Sequence, residues 1–189
     1  MVPAVATTTT RLTPDDYFAA AMAILASDGV AGLTTTKVCE RLDVTRGSLY
    51  HHFASGPAFQ EALIEHWERT LVPAVLAEVD AVPPAERIDL LQHLALHTDH
   101  DLERAMRAWS HTNPTVAAAL ARADRAREDV LARAFTDVGI EPDRAATLAR
   151  VGCSLLVGAQ QLDDDIDRER LAAVLAEYRS WIDHRRDDP

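Results

Sequence analysis

Arg46, Ser48, Tyr50 and His51 crowd into one short stretch, with Thr45 before them and Gly47 between. A guanidinium, hydroxyls and an imidazole so close together can donate to phosphate oxygens and to the acceptor edges of bases. Arginine in particular offers a fork that matches O6 and N7 of guanine. Gly47 lets a backbone approach closely. Upstream, Thr35, Thr36 and Lys37 open a second short segment whose N-terminus can face a phosphate backbone.

A second group of chemically able residues lies further on. His93, His97 and His100 are spaced i, i+4 and i+7, with Asp99, Asp101 and His111 near them in sequence. On an unbroken helix the three imidazoles share one side, and such a pair or triplet can hold one metal ion. The plainer reading makes them partly buried polar groups, or hydrogen-bonding groups of an apolar ligand cavity. A helical metal-dependent protein built on His93, His97 and His100 is therefore the alternative reading. It leaves residues 33–53 unexplained, and no nucleophile, base and orienting group recur at a recognisable spacing, so neither an enzyme nor a cofactor is expected. Cys39 and Cys153 match no metal-ligand spacing. Cys39, on an inward face, reads as a small apolar filler.

The elements that must hold these groups are helices. Thr13-Pro14-Asp15-Asp16 is a start signal: a hydroxyl cap, a proline at the first helical position, and two carboxylates at the positive end of the dipole. Phe18, Met22 and Leu25 form its apolar stripe, and Gly29 is the predicted end. Thr34 caps a short helix with Val38, Cys39 and Leu42 inward. After a break at Asp43-Val44, Thr45 caps another with Leu49 and Phe53 inward. The segment 33–53 thus has the spacing of a helix-turn-helix, in which one face of the second helix packs and the other presents side chains to a major groove.

Gly56-Pro57 opens a longer helix through Phe59, Leu63, Trp67 and Leu71 toward Pro83-Pro84. Further helices are predicted at about 85–98, 100–112, 114–138, 142–162 and 168–185. Residues 1–12 show no helical period and read as a tail. The alternative is an arm whose Arg11 touches a phosphate or the minor groove.

Composition agrees with helix throughout. The chain has 189 residues, 48% of them apolar and 5% aromatic, with seven glycines, and is rich in Ala and Leu. No stretch approaches the ~18 apolar residues of a membrane span, and the N-terminus lacks the basic and long apolar regions of a leader. A cytoplasmic protein without a membrane partner is the expectation. The net charge of −11 sits badly with phosphate contacts, but it is unevenly placed. Residues 1–56 carry Arg11, Lys37, Arg41 and Arg46 against Asp15, Asp16, Asp28, Glu40 and Asp43, a balance of −1. The other −10 lies downstream, away from the short helices.

Across residues 12 to 65 the chain resembles the TetR family of regulators. The resemblance rests on the helix ending in Gly29, on Leu33-Thr34-Thr35, Val38, Leu42 and Val44, and on Gly47-Ser48-Leu49-Tyr50-His51-His52-Phe53 with Phe59 and Leu63 after it. It implies an all-α protein of about nine helices. A three-helix helix-turn-helix domain over 12–56 would join a larger helical effector-binding and dimerisation domain over 57–187. It also implies a homodimer on palindromic double-stranded operator DNA, acting as a repressor released by a small-molecule effector. DNA contact is carried onto Thr35, Thr36, Arg46, Gly47, Ser48, Tyr50 and His51, to which the placement of the two short helices adds Lys37 and Thr45. Two positions depart from the family pattern. Its usual glycine in the turn is Asp43, a residue that tolerates left-handed backbone. Its usual lysine after the His-Phe pair is Gly56, which removes one phosphate contact.

In the larger part, Trp67, His93, His97, Met106 and Trp109, with Phe135, are candidates for lining an effector cavity, against the plainer reading that they are core. Leu148, Leu155 and Leu162 repeat at seven residues, and Gly152 and Gly158 permit close helix approach. With Leu175 and Tyr178 on the last helix, the resemblance makes Leu148, Gly152 and Leu155 a dimer interface of four-helix-bundle type. An ordinary intramolecular core is the other reading of the same pattern.

Overall fold

A computed structural model describes residues 12–162 and 165–184. Arg11, the proposed arm residue, lies outside them. The described residues form nine α-helices and no strand: α1 Pro14–Gly32, α2 Thr35–Arg41, α3 Arg46–His52, α4 Gly56–Asp80, α5 Arg87–His97, α6 His100–Ser110, α7 Pro114–Asp137, α8 Pro142–Leu162 and α9 Arg168–His184. A single 3-10 turn, Pro84–Glu86, leads into α5.

Local chemistry sets most helix starts. The Asp16 carboxylate accepts from the Thr13 backbone N–H at 2.7 Å and its hydroxyl at 2.8 Å, which holds the acid below its usual range. Thr34, Thr45, Ser55, Asp99 and Asn113 each accept a backbone N–H of their own first turn. Gly29 behaves differently from the prediction. Its positive φ of 66° breaks the helix as expected, but helical turns resume to Gly32, so α1 is a kinked unit rather than one that stops at the glycine. Asp43, in the turn between α2 and α3, has φ 53°, the left-handed conformation that a short polar side chain tolerates.

Two apolar cores organise the chain. The first begins in α1 with Tyr17, Phe18, Ala21, Ile24 and Leu25, takes in Val38, Leu49 and Phe53, and continues through Phe59, Leu63 and Trp67 of α4. It does not stop there. Met106 and Trp109 of α6 and Val116, Ala119 and Leu120 of α7 belong to the same cluster, so the short helices are fused to the body through α1, α4 and α6. Phe18 stacks on Phe59 at 6.1 Å between ring centres, and Phe53 meets Phe59 edge-on at 4.9 Å. The second core joins Ile88, Phe135, Ile140, Ala145, Ala149, Tyr178 and Ile182 at the far end.

In that second region α8 meets α7 and α9 closely at Gly152. A Cβ there would stand 3.1 Å from Leu131 Cδ2 and 3.1 Å from Tyr178 Cε1. The Tyr178 hydroxyl, buried beside it, donates to the Leu148 carbonyl. Burial is what pushes this phenol far above its usual range. Gly152→Val should therefore overpack the contact and lower stability by about 1–3 kcal/mol in thermal or urea unfolding. An unchanged midpoint would show that Tyr178 and Leu131 move aside freely.

Candidate nucleic-acid interface and ligand cavity

α3 is only seven residues long, and its orientation comes from the side chains beneath it. Leu49 is fully buried and Phe53 nearly so. From α1, the Tyr17 hydroxyl meets the Ser48 hydroxyl at 2.6 Å, and the Tyr17 ring lies against His52 and Phe53. The opposite face carries Thr45, Arg46, Gly47, Tyr50 and His51, all exposed. Arg46 donates to the Tyr50 hydroxyl at 3.3 Å, with its guanidinium 5.9 Å from the ring centre. That bond, followed by one from Thr35, draws the Tyr50 phenol below its usual range. Arginine, tyrosine and threonine thus form one outward polar cluster across α2 and α3.

Of the nine residues expected at a DNA surface, Thr36, Lys37, Thr45, Arg46, Gly47, Tyr50 and His51 stand exposed and Thr35 is half-buried at the same edge. Ser48 differs. It is half-buried and bonded to Tyr17, so its hydroxyl anchors α3 on α1. Lys37 is also engaged: its ammonium lies 2.8 Å from Asp28, and this bond holds the Asp28 carboxyl below its usual range. Tyr17 and Asp28 are the functional residues that sequence spacing missed. Both belong to α1 and reach across to Ser48 of α3 and Lys37 of α2, and nothing in the sequence marks either pairing.

The histidine triplet does not form. Asp99 caps α6 through the Leu102 N–H at 3.0 Å, which breaks the chain between α5 and α6, so residues 93, 97 and 100 do not follow one helical path. His93 and His97 stay exposed and stack with ring centres 4.1 Å apart, and the His97 Nδ1–H donates to the His93 carbonyl. His100 turns inward, 6% exposed, where its Nδ1 accepts from Gln160 Nε2 at 3.2 Å. Among the described residues no group of three or more His, Cys, Asp or Glu is placed to hold a metal ion.

The apolar cavity of the body also differs from the expectation. It has a volume of about 500 Å³ and lies between α4 and α9, with walls of Leu71, Leu91, Leu131, Phe135, Val157 and Leu175 among others. Phe135 lines it as expected. Trp67, Met106 and Trp109 do not; they are at most 4% exposed, inside the core shared with α1. His93 and His97 are not on its wall either. Aromatic residues at helical spacing served here as packing between two parts of the molecule. Of the residues expected at a dimer interface, Gly152, Leu175 and Tyr178 are buried within the chain and face this cavity, while Leu148 and Leu155 are half-buried against the second core. The outward apolar side chains of α8 and α9 are instead Val151, Leu162, Val174 and Trp181.

One end of the cavity is ionic. Arg107 donates to both oxygens of Asp124 at 3.0 and 2.8 Å, Arg127 to Glu103 at 2.6 Å and to Asp124 at 3.2 Å, and Arg150 to Glu128 at 2.6 Å. Cys153 is on the same wall. Burial pushes its thiol up to about 11, so at neutral pH it is a protonated thiol and not a nucleophile.

These features define a protein with a helix-turn-helix head welded to a helical body that holds a cavity. Residues 18–56 match the family described as bacterial regulatory proteins, tetR family. The tetracycline repressor protein class A from transposon 1721, of Escherichia coli, is 40% identical over 79 residues. That match spans 41% of this chain and a third, 33%, of the repressor. A TetR transcription regulator from Haloarcula marismortui superposes with a TM-score of 0.71 at 18% identity, covering 87% of this chain and 95% of that one. A transcriptional regulator from Rhodococcus sp. Rha1 gives 0.69 at 21%, covering 88% and 94%. These two likenesses concern the fold. The likeness to the tetR family in sequence thus covers the helix-turn-helix head, 39 of 189 residues.

Burial lowers the His100 imidazole below its usual range, so it stays neutral in the fold. The unfolded chain takes up a proton as pH falls through about 6.5, the ordinary histidine value, and the folded chain lags behind. Stability should then decrease as pH drops below that value. His100→Gln should flatten this part of the profile in urea unfolding at several pH values, and an equally steep profile in the variant would assign the proton to another group.

Proposed function

We propose that this chain is a ligand-responsive, DNA-binding transcription regulator, a cytoplasmic repressor that binds a palindromic operator as a homodimer and releases it when a small molecule enters the body. The observation that carries this reading is the division of α3. Leu49 and Phe53 lock one face into the core, while Thr45, Arg46, Tyr50 and His51 stand outward on the other. In this reading residues 12–56 are the reading head and 57–187 the body. Arg46 reads a guanine edge or holds a phosphate, Tyr50 and His51 donate to phosphates or bases, and Gly47 admits the backbone closely. Thr35, Thr36 and Lys37 face the phosphates from α2, and Ser48 acts through Tyr17 as a positioning residue.

Affinity should show in electrophoretic mobility shifts on the DNA upstream of the chain's own coding sequence, at stated salt. Arg46→Ala should abolish the specific shift. Gly56→Lys should tighten binding and steepen the salt dependence by about 0.9 in log–log slope, the value for one added phosphate contact on duplex DNA. Room exists for it, since the nearest atom to a Cβ at Gly56 is Thr35 Cγ2 at 3.7 Å. No shift even at low salt would refute the proposal.

The pairing surface that fits is the outer face of α8 and α9. Leu162 is 85% exposed and Trp181 61%, with Val151 and Val174 on the same two helices, an unusual exposure for large apolar side chains. Pairing of two such faces would give an isologous four-helix contact. Val174→Arg with Trp181→Arg should yield monomers in analytical ultracentrifugation, whereas Gly152→Ala, an inward position, should leave the mass unchanged. A monomeric wild-type chain at micromolar concentration would refute this part.

A further inference from the structure

The cavity in the body has a graded wall. At one end, Glu103, Asp124 and Glu128 face Arg107, Arg127 and Arg150. At the other, Ile88, Phe135 and Ile182 close it with hydrocarbon. Asp124 and Phe135 lie on the same helix, so the two ends are separated by about 16 Å at ~1.5 Å per residue. The ionic end is internally balanced, three carboxylates against three guanidiniums, and each guanidinium is hydrogen-bonded to a carboxylate at 3.0 Å or less. Arg179, on the apolar side, is turned to Asp183 at 3.1 Å and Asp89 at 3.6 Å, and its buried Nη1 has no hydrogen-bond acceptor among the described residues.

We infer that the cavity takes an elongated, uncharged amphiphile, a long aliphatic chain ending in a single hydroxyl or carbonyl oxygen, with the oxygen at the Glu103–Arg107–Arg127 end. The inference rests on reading the cavity as the effector site, and it adds the chemical class of the effector.

A ligand of net charge entering this volume gives up its water and finds no surplus countercharge. To gain a partner it must displace one from the partly buried Arg107–Asp124 or Arg127–Glu103 pair, which leaves another charge uncompensated. An uncharged oxygen meets no such obstacle. It finds a donor already waiting, because the Nε–H of Arg107 is buried and no described group accepts from it. The aliphatic part of the wall then sets the remainder of the ligand. Its contribution to binding scales with the hydrocarbon it removes from water. The volume of about 500 Å³ falls within the ~300–1,000 Å³ of small-molecule sites. Covalent capture by Cys153 does not compete with this, since the thiol is held protonated.

Isothermal titration calorimetry of the chain with 1-dodecanol, kept below its solubility limit, and with dodecanoate and dodecyltrimethylammonium, kept below their micelle concentrations, compares three heads on one tail. The alcohol should bind at least about tenfold more tightly than either ion, the smallest difference that a lost buried partner predicts. Asp124→Asn leaves one unit of positive charge at the polar end, and the carboxylate should then overtake the alcohol. Equal or tighter binding of either ion by the wild-type chain, or no binding of any of the three, overturns the inference. So does a ranking unchanged by Asp124→Asn in a variant shown to fold by circular dichroism. Because these titrations contain no DNA, they are independent of the regulatory reading. Alcohol preference with no operator release in a parallel mobility shift would sink that reading and leave this one standing.

Discussion

The structure depends on the seam where α1 lies against α6. Phe18, Ile24 and Leu25 on one side and Met106 and Trp109 on the other are at most 5% exposed, and α4 closes the seam with Phe59 and Trp67. α2 and α3 are too short to hold themselves in place, since seven-residue helices are marginal on their own. Their position is inherited from α1 through Leu49, Phe53 and the Tyr17–Ser48 bond. The reading face is therefore aligned by a core most of whose mass lies elsewhere in the chain.

α6 is the element with two audiences. Glu103 and Arg107 look into the cavity, while Met106 and Trp109 look into the seam. Interiors packed to crystal density do not absorb a shift on one face without moving the other. In the proposed function, occupancy of the cavity at its ionic end would bear on the angle of α1 across one helix diameter. The arginine and carboxylate pairs on α6 and α7 also tie these helices together, which makes α6 a lever held at both faces.

Much of this was legible in the residues. Start signals such as Thr13-Pro14, Asn113-Pro114 and the hydroxyls at 34 and 45 are local chemistry, and the helices begin where those residues stand. The outward face of α3 was legible for the same reason, because its spacing against Leu49 and Phe53 leaves few alternatives. What escaped was anything that requires knowing which of two apolar faces meets which neighbour. Trp67, Met106 and Trp109 satisfy the pattern of a cavity wall and of a core equally well, and only the approach of α1 decides between them. Leu175 and Tyr178 turn inward where Val174 and Trp181 turn outward, a distinction of one helical step that periodicity does not rank. The histidine triplet failed because Asp99 is a better helix cap than helix interior, so the helix break expected between 98 and 100 is real and the unbroken helix that the triplet needs does not exist.

The charge of −11 becomes coherent once the ion pairs are placed. In the body, Arg87, Arg107, Arg122, Arg127, Arg133, Arg150 and Arg179 each lie within 4 Å of a carboxylate of the same chain, so their charge is spent on holding helices together. In the head the arrangement is opposite. Arg46 meets a phenol and not a carboxylate, and its charge is left for whatever the face of α3 approaches. Lys37 stands between the two cases, paired with Asp28 at 2.8 Å but half-exposed, a contact that a phosphate can replace and that salt weakens. An acidic body repels a polyanion, so association of this head with one must depend on a few placed groups rather than on a basic field. Doubling such a head by pairing two chains is the physical route by which weak single contacts become tight binding, because the second engagement occurs at high effective concentration.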